Sequence, residues 1–259
     1  GKSSLIDELV QRFLNFYPDK KVGVVCVDPS KRKTGGGLLG DRIRMNSLSR
    51  SRVFMRSLAS RGSGKEIAQS LPAVLDFMRG LDFDLIIAET SGIGQGNMAI
   101  TEVSDFSLYV MTSDFGAQSQ LEKIDMIDFA DMIAVNKADR RGALDALRDV
   151  TKQFKRSRKI FDTHESSPIE VPVFLTQASQ FNDGGVNKLF FHIADVLTKK
   201  DKNFEIRAAQ KSAVLSAEEH IVIPPERQNY LAEIVSSIRQ YKANVKGSAD
   251  RASQLGGLY

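Results

Sequence analysis

Several short stretches of the chain carry residue types that can handle a polyphosphate, a divalent cation and a purine base. Gly1-Lys2-Ser3-Ser4 reads as the second half of a phosphate-binding loop, G-x-x-x-x-G-K-[ST]. In such a loop, backbone N–H groups at a helix N-terminus cradle a polyphosphate. Lys2 would reach the β- and γ-phosphates, and the Ser3 hydroxyl would ligate Mg²⁺. Taken alone, the tetrapeptide is either an accident or part of a motif cut from a longer chain, because the first glycine and its strand are not in this sequence. Asn136-Lys137-Ala138-Asp139 fits the N-K-x-D signature of guanine recognition. The Asp139 carboxylate would accept from the guanine N1–H and exocyclic amine, a donor pair that adenine lacks on that edge. Asn136 would meet the base edge and brace the loops, and the Lys137 stem would lie over the ring. A polar turn after a strand is the plainer alternative. Gln177 and Ala178, in Thr176-Gln177-Ala178-Ser179, stand where a backbone N–H would reach the guanine O6.

Acidic residues supply the other half of the chemistry. Glu89, in Glu89-Thr90-Ser91-Gly92, is placed to hold Mg²⁺ directly or through water, and the Gly92 N–H can meet a γ-phosphate. The segment 92–96 is glycine-rich enough to swing when that phosphate leaves. Gln95 within it is a candidate for orienting an attacking water by analogy with other GTPases. Asp28 and Asp41 bracket a basic, glycine-rich segment, 31–40. Mg²⁺ takes oxygen ligands and few of them from protein, so Ser3, Asp28, Asp41 and Glu89 form a candidate metal set. Either aspartate could instead be an ordinary cap or turn residue.

These residues need a scaffold that gathers strand ends. Apolar, β-branched runs at 21–27, 52–58, 83–88, 106–112, 132–135 and 171–175 predict buried strands. Between them, residues 3–16, 65–79, 118–129, 142–156 and 185–197 carry helical periodicity, with Pro72 a blemish in the second of these. Strands alternating with helices predict an α/β fold: a doubly wound, mostly parallel sheet with helices on both faces, which binds ligands at the carboxyl ends of its strands. Each motif above sits at such an end. Residues 1–200 are expected to form this domain, with the first strand and the start of the phosphate loop missing. Residues 201–259 read as a helical connector: 203–217 lacks a clear period, 226–243 is helical with an apolar stripe, and 247–257 is small and polar.

Composition excludes several classes. Lys+Arg exceeds Asp+Glu by 36 to 32, which suits a phosphate ligand but is too small an excess to argue for nucleic acid. No apolar run reaches membrane-span length. The single cysteine, Cys26, lies in the run 22–27 and reads as a buried core thiol, consistent with a reducing, cytoplasmic setting. His164, His192 and His220 lack metal-ligand spacing. The basic run Lys152, Lys155, Arg156, Arg158 and Lys159 reads as a solvated helix end, with partner docking the alternative.

The motifs follow the order found in P-loop GTPases, and longer stretches are more specific. VDPSKRKTGGGLLGDRIRM, ETSGIGQG and AVNKAD resemble the GTPases that service adenosylcobalamin-dependent acyl-CoA mutases. The resemblance covers roughly residues 1–200. FMRSLASRG, the run from Ser107 to Val150 and the IVIPPERQNYLAEI tail are most similar to the fused type, in which the G-domain lies between a cobalamin-binding domain and a mutase barrel. The resemblance implies GTP and GDP binding, Mg²⁺-dependent GTP hydrolysis and a chaperone role that gates cobalamin loading. It implies adenosylcobalamin in the parent protein, with the mutase and cobalamin-binding domains as partners, an adenosyltransferase as a further partner, and a homodimeric parent. It also implies a switch loop at 114–125, with Gln120, Glu122 and Lys123 as relays to the mutase. A stand-alone chaperone of a separate mutase, or a GDP-holding module that hydrolyses little, are the alternatives.

Overall fold

The computed structural model describes residues 1–29, 45–60, 70–90, 99–115, 126–160, 169–216 and 230–257. It divides into two compact units, 1–215 and 216–259.

The first unit opens with α1 (Lys2–Phe16), whose Leu5, Leu9, Val10, Phe13 and Leu14 recur at helical spacing and are all buried. Strands β1 (Val22–Pro29), β2 (Val53–Ser60) and β3 (Leu85–Thr90) form one parallel sheet in the order β2-β1-β3. Strands β4 (Leu108–Thr112), β5 (Met132–Asn136) and β6 (Val173–Thr176) form a second, also parallel, in the order β4-β5-β6. The helices between them are α2 (Leu71–Arg79), α3 (Ala99–Val103), α4 (Met126–Phe129) and α5 (Ala143–Ser157), and α6 (Gly184–Lys200) and α7 (Ala208–Ser216) follow the last strand.

The period of two in a strand sends alternate side chains to opposite faces, and both central strands use it fully. Val22, Val24 and Cys26 of β1 and Met132 and Ala134 of β5 enter one core, shared with α1 and α6. Val25 and Val27 turn the other way, onto Leu71, Leu75 and Met78 of α2. Ile133 and Val135 turn onto Ala146, Val150 and Phe154 of α5. The result is a doubly wound α/β layer with helices on both faces. Each fully buried aliphatic or aromatic side chain contributes about 1.5–3 kcal/mol relative to exposure, so the shared core beneath both sheets is the main tie between them. Leu85 and Ile87 of β3, and Leu108 and Val110 of β4, rest on that core, yet β3 pairs only with β1 and β4 only with β5 among the described residues.

Local departures from the expected elements have physical reasons. Pro72 lies in the first turn of α2, where its missing N–H costs nothing; the expected start at residue 65 lies outside the described residues. The expected helix 118–129 is described only as α4. Residues 202–206 join the first unit: Phe204 and Ile206 are buried in the shared core, the Phe204 ring packs against Phe13, and the Tyr17 hydroxyl donates to the Phe204 carbonyl at 2.7 Å. α7 has no buried residue to betray a period. The second unit is built on one long helix, α8 (Tyr230–Gly256). It runs straight through the small, polar stretch expected to lie beyond its end. No described helix is long and apolar enough to cross a membrane.

Candidate functional site

Gly1 caps α1, and its carbonyl accepts the Leu5 N–H at 3.1 Å. The first-turn N–H groups of a helix have no intrahelical acceptors, and the dipole places partial positive charge there. Lys2, Ser3 and Ser4 supply that turn, and Ser3 is buried. The Lys2 ammonium lies 3.9 Å from one carboxylate oxygen of Glu89, which is 8% exposed at the end of β3. On β1 the register partner of Glu89 is Cys26. Its thiol donates to the other Glu89 oxygen at 3.4 Å. The carboxylate is therefore held between Lys2 and a neighbouring strand. Asp28 follows Cys26 at the end of β1, opposite Ala59; its side chain is not among those described. Asp41, Gly92 and Gln95 lie outside the described residues, as do the segments 31–40 and 92–96 and the relay candidates Gln120, Glu122 and Lys123.

The second half of the site forms around Asn136, the last residue of β5 and only 2% exposed. Its Nδ2 donates to the Gly1 carbonyl at 3.2 Å. Its Oδ1 accepts from the Lys137 N–H at 2.9 Å, the Ala178 N–H at 3.2 Å and the Thr176 hydroxyl at 3.3 Å. One buried amide thus ties the start of α1 to the turn after β6. Lys137 adopts a left-handed backbone, with φ 64°, a conformation costly for a non-glycine residue and retained where the surroundings over-determine it. It carries the Lys137 Cε to 3.9 Å from where a Cβ on Gly1 would sit. The Ala138 N–H donates to the Thr176 carbonyl at 3.1 Å, so this loop and the 176–179 loop are joined through the backbone as well. Asp139 is exposed.

The structure therefore brings Lys2 to Glu89, Gly1 to Asn136 and Lys137, and Asn136 to Ala178. At the 176–179 loop two backbone donors already have partners: the Gln177 N–H bonds Oδ2 of Asp183 at 3.0 Å, and the Ala178 N–H bonds Asn136. Asp183 was invisible as a site residue because its bond to Gln177 is tertiary. The readable signal was an aspartate placed to cap the helix starting at Gly184. Cys26 likewise acquires a role beyond core packing. In the basic run, Arg158 is not a solvated side chain. It stacks on Phe154 at 3.6 Å, donates to the Ile127 carbonyl at 3.0 Å and also to the Ala130 carbonyl. His192 packs on Phe174, and burial depresses its pKa. Among the described residues no cluster of three or more His, Cys, Asp or Glu could hold a metal.

Residues 1–224 match the family described as "Methylmalonyl Co-A mutase-associated GTPase MeaB". The chain is 50% identical over 255 residues to a fused isobutyryl-CoA mutase of Geobacillus kaustophilus, and 46% identical over 256 residues to one of Cupriavidus metallidurans. In each case 98% of this chain is covered but only 23% of the relative, so the chain spans about a quarter of those proteins. A protein of Caenorhabditis elegans called a mitochondrial methylmalonic aciduria type A homolog is 31% identical over 140 residues, covering 54% of this chain and 35% of its own. Among solved structures, the hydrogenase maturation factor HypB of Archaeoglobus fulgidus superposes with a TM-score of 0.53 at 16% identity, covering 76% of this chain and 84% of its own. That likeness supports the fold alone. The chain belongs to the MeaB family of methylmalonyl-CoA mutase-associated GTPases.

Proposed function

We propose that this segment is the G-domain of a fused acyl-CoA mutase, in which GTP hydrolysis gates the loading and protection of adenosylcobalamin. The observation that carries the reading is Asn136, whose one buried side chain bonds both the phosphate-loop carbonyl of Gly1 and the Ala178 N–H. Such a bridge would join a polyphosphate site at Gly1–Ser4 to a base site at Asn136–Asp139. Gly1, Lys2, Ser3 and Ser4 receive the phosphates with the α1 dipole, while Asn136, Lys137, Asp139, Gln177 and Ala178 frame guanine, and Gly92 donates to the γ-phosphate. Catalysis is positioning and charge neutralisation: the Lys2 ammonium stabilises negative charge developing on the transferred phosphoryl group, and Gln95 orients the water.

The acidic residues fit Mg²⁺. The Glu89 carboxylate and Ser3 hydroxyl are hard oxygen donors, both buried beside the phosphate loop, and Asp28 and Asp41 would complete the set. When bound, the metal neutralises phosphate charge. The Cys26 thiol and Lys2 keep Glu89 in place.

The parent protein extends this picture. β3 and β4 each leave one edge unpaired among the described residues, both rest on the shared core, and Lys2 and Gly1 contact Glu89 on one side and Asn136 on the other. A parallel strand leading into Gly1 from the preceding residues, with a glycine five residues before Gly1, would fill that gap and complete the phosphate loop. The mutase and cobalamin-binding domains of the same chain are the partners, with an adenosyltransferase as cobalamin donor and a cytoplasmic homodimer as the working form. α8 connects to the mutase domain, with Ile234, Ile238, Tyr241 and Val245 forming its apolar stripe.

Single-turnover GTP hydrolysis by the full-length parent protein tests the proposal. Lys2→Ala should slow the chemical step by about 100- to 1,000-fold, the scale for losing one preorganised transition-state donor. An unchanged rate would remove Lys2 from the mechanism.

A further inference from the structure

Asp183 does more than begin a helix. It is the N-cap of α6, and Oδ2 accepts the Val186 N–H at 2.9 Å, which satisfies one orphan donor of the first turn. The same oxygen accepts the Gln177 N–H at 3.0 Å, six residues back and outside the helix. The second bond adds nothing to the cap and instead fixes the turn after β6.

The surroundings hold Asp183 from behind. Asn182 adopts a left-handed backbone with φ 53°, which asparagine tolerates better than most residues. Its Oδ1 accepts from Asn187 Nδ2 at 3.2 Å. Asn187 is 2% exposed, and its Oδ1 accepts from Arg12 Nε at 2.7 Å. Arg12 belongs to α1 and is itself paired with Glu8 at 2.6 Å. Gly185 lets the start of α6 press against β6: a Cβ there would lie 1.7 Å from the Leu175 carbonyl oxygen. The base turn is thus braced in front by Asn136, which reaches Gly1, and behind by a polar chain that reaches the middle of α1.

We infer that Asp183 is a positioning residue for recognition of the purine 6-oxo group. By engaging the Gln177 N–H, it fixes the turn and with it the direction of the next backbone N–H. The Ala178 N–H, held by Asn136 at 3.2 Å, is the donor this turn presents to be shared with an incoming O6. The inference rests on the base-site reading above, and the test separates the two.

The test is calorimetry on the full-length protein with GDP and with 6-thio-GDP. Sulfur at position 6 is larger and a weaker acceptor, while the N1–H and amine that face Asp139 are unchanged. Wild type should prefer GDP by about tenfold, the upper range for one neutral hydrogen bond. Asp183→Ser keeps a strong helix cap but is too short to hold Gln177, so the preference should fall to about twofold at nearly unchanged thermal stability. Asp183→Asn retains an acceptor oxygen in the same place and should restore the wild-type ratio. Gln177→Pro deletes the same bond from its other end with the cap intact, and should behave like Asp183→Ser. A purely structural role would weaken both nucleotides alike and leave the ratio untouched. A wild-type ratio in Asp183→Ser and Gln177→Pro overturns the inference alone. Equal binding of the two nucleotides by wild type overturns the base-site reading and the inference with it.

Discussion

Asn136→Ala is the substitution from which the geometry predicts most. It deletes one donor, to the Gly1 carbonyl at 3.2 Å, and one acceptor serving the Lys137 N–H, the Thr176 hydroxyl and the Ala178 N–H at 2.9, 3.3 and 3.2 Å. Not all of these losses count equally. The Thr176 hydroxyl can rotate, and the Gly1 carbonyl keeps its bond from the Leu5 N–H. The Ala178 and Lys137 N–H groups have fixed directions. Stranding a buried donor costs about 1–3 kcal/mol, and water entering the vacated space recovers part of it for the half-exposed Lys137. A local penalty of about 2–4 kcal/mol follows, equivalent to roughly 30- to 700-fold in a local opening equilibrium. Native-state hydrogen exchange on the full-length protein reads it directly. The amides of Lys137 and Ala178 should exchange faster by that factor, while the Ile133 and Val150 amides stay within about threefold of wild type because additivity confines the effect to shared partners. If Ala178 exchanges at the wild-type rate in Asn136→Ala, the bridge between the two halves of the site is not energetically real.

Two further outcomes are expected. Gly185→Ala puts a methyl 1.7 Å from the Leu175 carbonyl oxygen, so α6 must shift; overpacking of this kind costs about 1–3 kcal/mol, and a thermal midpoint equal to wild type would contradict the close packing. At Asp84, burial raises the carboxyl pKa, but the Lys21 N–H and the Lys20 ammonium outweigh it and leave the pKa below its ordinary value of 3.8. A depressed folded-state pKa contributes stability above the unfolded value and loses it as pH falls through the folded one. Asp84→Asn should therefore be less stable than wild type at neutral pH, and the gap should close in acid below about pH 4; a gap of constant size across denaturation curves at the two pH values would show that the pairing contributes nothing.

Much of this architecture is legible in local pattern because strands buried on both faces must be apolar throughout. The runs around Val24 and Ile133 announce themselves in that way, and the alternation that sends Val24 and Val25 to different cores needs no further signal. The motifs at the strand ends are legible for the same reason, since polar and glycine-rich residues interrupt the runs abruptly. Cross-strand and tertiary relations are not local. Nothing near Cys26 in sequence says that its register partner is Glu89, 63 residues on. The dual use of Asp183 depends on how closely α6 approaches β6, which only Gly185 hints at. Helix α7 has no fully buried side chain to set a period, and α8 continues past its apolar stripe through Gly247 and Ser248, where small residues suggest an end. Arg158 misleads in the opposite direction, because a charge run looks solvated until one member finds an aromatic face and two carbonyls.

The central claim is that the Asn136–Asp139 loop reads guanine at one end of the site while Gly1–Ser4 hold the phosphates at the other. The most direct measurement is the affinity of full-length wild type and Asp139→Asn for GDP and for xanthosine diphosphate. The carboxylate accepts from the guanine N1–H and amine; the amide can instead donate to the oxygen that replaces the amine in xanthine. Loss of a charge-assisted pair is worth about 1.5–3 kcal/mol, so GDP binding should weaken by about 10- to 100-fold and xanthosine diphosphate should become the preferred ligand, with phosphate contacts unchanged. Equal GDP affinity in wild type and Asp139→Asn, with no gain for xanthosine diphosphate, would contradict the account.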